Sequence, residues 1–374
     1  MKMPTTLQTQ TKPRFDPNSP EIKAYLNELA HQFVREGTMV AFPTCLPGMT
    51  TSIPHDEAHI TALDIHADGH IYGGTSGRHA HVFAAAFHGW TGVVFDAGVV
   101  AGCTNIVAVC CGASRVVAFA NGPQGGRAVA LPYLDLAQDW IQEWGFEAPP
   151  PQDLGACVAG EKIVHAVRTP SGTVVVGAST HHLFTVDVES GTITVVGEVQ
   201  GRGRLAVGAE HIYGLDESDK LWSFDVASRK LHRSAVDLPA GEWNGSLRWA
   251  RNPVTGVLFT ADTGGRLCSF DEKHFRELGK THLAPVGPMA ATPDGRLFGF
   301  CGEEMANLFC WDTSGRTVRN LGVAASVLEK RRYGYQFGDA LTGRDGELVF
   351  GEDDNDGHLW LYFPKLRPQE KERT

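Results

Sequence analysis

From residue 38 onward apolar residues recur at every second position in short runs, and glycine-centred turns separate the runs. The stretch "ITALDIHADGHIYGGT" (60–75) shows the form: an alternating strand, a turn closing on Gly69, and a second strand ending on small residues. Alternation of this kind puts one face of an extended chain in a core and the other outward. The form returns as "IVHAVRTPSGTVVVGA" (163–178), "LAVGAEHIYGLD" (205–216), "LRWARNPVTGVLFTAD" (247–262), "PMAATPDGRLFGFCG" (288–302) and "DALTGRDGELVFGED" (339–353). A degenerate copy is "IVAVCCGASRVVAFAN" (106–121). Third strands with an aromatic close follow, among them "HLFTVD" (182–187), "LWSFD" (221–225) and "LWLYF" (359–363). Upstream, "SPEIKAYLNELAHQFVREG" (19–37) spaces its apolar residues for a helix instead, and Ser19-Pro20 suits a cap and first turn.

Seven such units, repeating at roughly 40–60 residues, predict an all-β, seven-bladed β-propeller with a short N-terminal helical segment. The predicted organisation is a tail and helix over 1–37, the propeller over 38–364, and a charged C-terminal tail over 365–374. "TMVAF" (38–42) is available as the strand that closes the ring. "YLDLAQDWIQEWGFEAPPPQD" (133–153) breaks the period and predicts a helical insert there.

Composition narrows the functional classes. The chain carries 43 acidic and 33 basic residues, a formal net charge of −10, which argues against a general nucleic-acid binder. A local basic pocket in an acidic protein still accepts an anionic substrate. The N-terminus has no apolar signal core and no run reaches membrane-spanning length, so no membrane partner is expected. The chain as it stands predicts a soluble cytoplasmic protein, or a secreted one if a signal has been removed. Eight cysteines without a C-x-x-C pair read as reduced, packed thiols.

In a propeller the first strand of each blade lines the central channel, and the residue leading into it stands at the channel mouth. Alignment on the turn glycines (69, 172, 256, 295, 346) puts His59, Lys162, Ser246, Pro285 and Gln336 at that position, with Asn105 and the Arg202-Gly203 step from the weaker copies. His59, Lys162, Arg202 and Arg204 are thereby expected near one place. The hairpin "GGTSGRHAHVF" (73–83) adds Arg78, His79 and His81, and Arg248, Tyr333 and Tyr335 lie near other strand heads. Histidines that serve as acid or base, with cations that hold a carboxylate, suit an anionic substrate that loses and regains a proton.

The blade form "DGHIYGGTSGRHAHVF", the twenty-residue step from His59 to His79, and the ending "YGYQFGDALTGRDGELVFGEDDNDGHLWLYFP" resemble the seven-bladed β-propeller polysaccharide lyases, the group of ulvan lyases and rhamnose–glucuronate lyases. The resemblance spans the propeller, and only the histidine spacing is specific to the site. It implies β-elimination next to a uronic acid in a polysaccharide or oligosaccharide, with His59 and His79 as the catalytic histidines. Lys162, Arg202, Arg204, Arg78, His81 and Tyr335 are the expected substrate contacts. No cofactor is required by that chemistry, and a structural metal ion is compatible with it. The chain departs from the family where a tyrosine is expected: Gln124 stands there, with Tyr133 the nearest alternative, and Lys162 replaces an arginine. Which histidine is the base stays open.

Three other readings compete. His59, His79 and His81 could together ligate a catalytic zinc, which needs three protein ligands. A non-catalytic propeller could bind a sugar or a protein at the channel mouth. A metal-dependent hydrolase or lactonase would want carboxylates at the strand heads, and the aligned heads carry none. His182 occupies the place of His81 in another blade, which points to a scaffold role for His81, whereas His79 has no repeat counterpart. The acidic "GEDDNDGH" (351–358) lacks the glycine and distal glutamate of an EF-hand loop, and Cys301 with His282 would be at most half a metal site.

Overall fold

The glycines of the repeat do two things. Gly69, Gly172, Gly256, Gly295 and Gly346 close the first hairpin of their units at φ of 99°, 77°, 74°, 88° and 87°, where a side chain would be strained. Others lie mid-strand beneath an aromatic ring: Gly73 faces Phe83 across the sheet, Gly177 faces Phe184 and Gly214 faces Trp222. A Cβ at these three positions would fall 2.1, 2.2 and 2.1 Å from the opposing ring. The ring covers the bare backbone and fills the space between neighbouring sheets. The "YGG…F" and "VGA…LF" echoes of the sequence are this contact, repeated.

The computed structural model describes residues 19–20, 23, 33–34, 36–44, 52–88, 91–134, 148–243, 247–327 and 332–365. Among them are five four-stranded sheets and one eight-stranded sheet, all antiparallel and mostly in sequence order. The large sheet consists of two four-stranded meanders, opening with His59–Ile65 and Asn105–Cys111, joined where Ser76 pairs with Asn105. Counting the two meanders separately gives seven four-stranded units, and the chain is a β-propeller. The remaining innermost strands are Ile163–Arg168, Arg202–Val207, Ala250–Arg251, Val286–Ala291 and Phe337–Thr342. Thr38–Pro43 pairs antiparallel with His358–Phe363 and completes the last unit, so residues at opposite ends of the propeller share one sheet.

The core lies between sheets. Leu183, Leu205, Ile212, Trp222 and Phe224, for example, pack the third unit against the fourth. Each fully buried side chain of this size stabilises by about 1.5–3 kcal/mol. Among the described residues no helix is long and apolar enough to cross a membrane.

Met1–Phe33 forms one compact unit and Val34–Thr374 another. In the first, Lys23 N–H donates to the Ser19 carbonyl at 3.0 Å, one helical turn where the sequence predicts a helix start. The helix predicted over 19–37 does not reach its far end: Glu36 and Gly37 form a bend, with Gly37 at φ 80°. The rest of that helix lies outside the described residues, as do 135–147 of the predicted insert and 366–374 of the predicted tail. The end of the 133–153 segment is extended, since Gln152–Ala156 pairs with Gly125–Pro132 as a fourth strand.

Candidate functional site

Each innermost strand starts at one face of the propeller and ends in a hairpin at the other. On the strand-start face a 3-10 turn, His55–Glu57, precedes His59, and Glu57 sits beneath the loop that carries Arg78 and His79. The Glu57 carboxylate is 3% exposed and accepts three bonds: from His79 Nδ1 at 2.5 Å, Arg78 Nε at 2.9 Å and His81 Nε2 at 2.7 Å. Burial works against its charge, but the bonds from His81, Arg78 and His79 outweigh this and hold it down at about 2.

The three basic side chains around Glu57 differ. His81 is 4% exposed, and its Nδ1 donates to Asp96 at 2.9 Å. With both nitrogens donating to carboxylates the ring is an imidazolium. Its pKa stays raised despite burial, because the bond and charge of Asp96 and then those of Glu57 prevail. His81 is therefore not a substrate contact; it anchors Glu57. His182 repeats the device, with Nδ1 on Glu161 at 2.6 Å. His79 is 53% exposed and commits one nitrogen to Glu57, so in the neutral ring the lone pair lies on Nε2. Arg78 is largely exposed beyond its bond to Glu57.

His59 is held differently. Its Nδ1 donates to Asp353 at 3.0 Å and its Nε2 to Asn355 at 2.8 Å. Burial opposes the charged ring, but the bonds to Asn355 and Asp353 and the charges of Asp353 and Asp354 leave its pKa raised. His59 and His79 thus sit on one face, His59 pairing with Ser76 at the start of the loop that carries His79.

The remaining expected contacts divide. Lys162 is exposed at the head of its strand, and Tyr335 is 47% exposed just ahead of Phe337–Thr342, both on the same face. Arg202 turns away to its own unit, donating to the carbonyls of Asp216 and Glu217 and to Asp219. Arg204 points into the channel, where it pairs with Asp339 and donates to the Thr61 and Gly338 carbonyls at 2.8 and 2.9 Å. These two arginines therefore do not join His59 as expected. The Tyr133 hydroxyl bonds to Asp68 and to His70 Nδ1 at the hairpin face, so it does not supply the missing tyrosine beside His79. Ser246 lies outside the described residues. Among those described, no group of three or more His, Cys, Asp and Glu is disposed to hold a metal ion.

Sequence reasoning missed Glu57, whose signal is "HDEAH": an acid two positions before His59, matched by Glu161 just before Lys162. It also missed the half-buried Asp64, His165, Arg168 and Asp339 of the channel. His165 and Asp339 each stand seven residues before their turn glycine, Gly172 and Gly346, and so share one inward position.

The fold and its polar channel define a β-propeller with ionisable groups clustered on its axis. No family model matches the chain, and no curated protein matches it. Among solved structures it is similar to a streptogramin B lyase, with a TM-score of 0.58 at 10% identity, covering 87% of this chain and 98% of that one. At that identity the likeness shows the fold alone.

Proposed function

We propose that this protein is a lyase that cleaves next to a uronic acid by β-elimination, with His79 as base and His59 as acid. The observation that carries the reading is the unequal pair of histidines on one face. His79 is steered by Glu57 through one nitrogen and offers the other to solvent, while both nitrogens of His59 face oxygens of Asp353 and Asn355, which raises its pKa and favours the protonated ring. A ring with a free nitrogen lone pair is disposed to take a proton, and one whose two nitrogens both face oxygen acceptors is disposed to carry one.

In the reaction His79 Nε2 takes the C5 proton, its electron pair forms the C4–C5 double bond, and the C4–O4 bond breaks. The departing O4 takes a proton from His59. Lys162 and Arg78, the exposed cations of this face, offset the uronate carboxylate as charge builds beside it. Each proton transfer typically contributes about 10²–10⁴-fold. The resemblance to polysaccharide lyases supports the same chemistry. The propeller fold carries a lyase in another protein, but a fold by itself does not select a reaction.

The assay is ultraviolet absorbance of the unsaturated uronyl product across uronate-containing polysaccharides and oligosaccharides, with and without chelator. Chelator-resistant product that disappears in His79→Ala is expected. Activity lost on chelation would transfer the reading to a metal hydrolase, and no product on any uronate would leave a binding propeller.

A further inference from the structure

Beyond the strand-start face the channel widens into a cavity of about 470 Å³, within the range of about 300–1,000 Å³ that encloses small organic ligands. Its wall comes from the later halves of the innermost strands and from Thr169 and Pro170 in a hairpin, so it belongs to the hairpin end. Neither His59 nor His79 lines it.

The wall brings together Arg168, Arg204 and Arg251 against Asp64 and Asp339. Both carboxylates are already served. Asp339 accepts from the backbone N–H groups of Leu63 and Ala340 at 2.7 and 2.9 Å and pairs with Arg204. Asp64 accepts from those of Cys111 and Ile65 at 2.7 and 2.9 Å and lies 3.4 Å from Arg168 Nε. Arg251 has no carboxylate partner among the described residues. Next to the wall Arg248 donates to the Gly338 carbonyl, and burial and then Arg204 bring its pKa down to about 9. Positive charge is in excess here, in a chain whose net charge is −10.

Two neutral donors add to it. His165 Nδ1 accepts the Leu205 N–H at 3.2 Å, which leaves its proton on Nε2. Desolvation, then Arg204 and Arg248, push its pKa well below the ordinary value, so the ring is uncharged. Among the described residues Trp249 Nε1 is buried without a hydrogen-bond partner, a costly state for a polar group. The rest of the wall includes Leu63, Val109, Val167, Leu205 and Val207.

We propose that this axial cavity is a binding site for a small organic carboxylate bearing an apolar ring, separate from the histidine face. The carboxylate lies between Arg168, Arg251 and His165 Nε2–H, a bidentate guanidinium arrangement that favours a planar anion. The ring packs on Trp249, Val167 and Leu205.

Titration calorimetry with cyclohexanecarboxylate and benzoate tests this, using the full chain. At least one is expected to bind saturably, and Arg251→Gln to weaken it about tenfold or more, the typical effect of losing a charge-assisted hydrogen bond. Arg251 is at the exposed end of its strand, so its variant folds even if Arg168→Gln does not. The corresponding carboxamides should not bind, and inorganic phosphate should bind more weakly than the carboxylate. Silence of both carboxylates up to high millimolar concentration, equal binding by the carboxamides, tighter binding of phosphate, or undiminished binding in Arg251→Gln would each overturn the assignment. Binding should survive in His79→Ala, so the failure of this site and of the elimination reading are separable.

Discussion

Replacing Glu57 with Gln keeps the shape of the side chain and removes its charge. The drop from an ordinary carboxyl value of 4.5 to about 2 measures how strongly the folded protein favours the ionised form. At about 1.4 kcal/mol per tenfold change in proton affinity, that is roughly 3 kcal/mol. The figure agrees with the cost of about 3–5 kcal/mol for stranding one partner of a buried ion pair, here the His81 imidazolium. Glu57→Gln should therefore unfold about 2–4 kcal/mol more easily, a fall in Tm of roughly 3–5 °C for a chain of 374 residues. The pH dependence gives the sharper test. A depressed carboxyl stabilises the fold fully above its unfolded pKa, and that stability is lost as pH falls through the folded value. The gap between wild type and variant should be full from about pH 5 up to the pH at which His81 loses its proton, and close between about pH 4.5 and 2. Thermal melts followed by near-ultraviolet circular dichroism across this range would read it. A gap under about 0.5 kcal/mol, the range of unremarkable surface changes, or a gap that persists at acid pH, would refute the account of Glu57.

Removing the carboxylate beside His59 with Asp353→Asn should lower the proton affinity of that ring, so the alkaline limb of kcat/KM moves to lower pH; an unmoved limb would exclude His59 as the acid. Gly214→Ala places a methyl 2.1 Å from the Trp222 ring and should destabilise by about 1–3 kcal/mol or more in urea unfolding, whereas Gly155→Ala, with nothing within 4 Å but φ 103°, tests backbone strain alone. The seven described cysteines are buried, and burial raises the thiols of Cys110 and Cys111 well above the ordinary value and that of Cys157 to about 12. They should resist a thiol reagent at pH 8 and react on unfolding; fast labelling of the native protein would contradict that packing.

What was legible along the chain is what is local. Alternation and turn glycines specify strand–turn–strand units whatever surrounds them, and the Gly-over-aromatic pairs lie within one hairpin, so the repeat and the propeller follow from the pattern. The His81–His182 echo marked a scaffold role because the blades are built alike. The helix over 19–37 was overdrawn at its end, where Gly37 takes a left-handed turn into the closing strand.

Side-chain direction around the axis was not legible. Arg202 and Arg204 are two residues apart, yet one turns to the Asp216–Asp219 turn and the other crosses the channel to Asp339. The register of that strand shifts between Arg202 and Ala206, and an irregularity of this kind re-aims side chains in a way that alternation cannot foretell. The partners of His59 illustrate the wider limit. Asp353 and Asn355 are 294 and 296 positions away, and only closure of the ring brings the last unit beside the first. The sequence alone determined that this chain repeats a β unit and carries histidines in one hairpin. The tertiary structure decided which carboxylates those histidines face, because the charge state of a ring depends on neighbours that chain order does not supply.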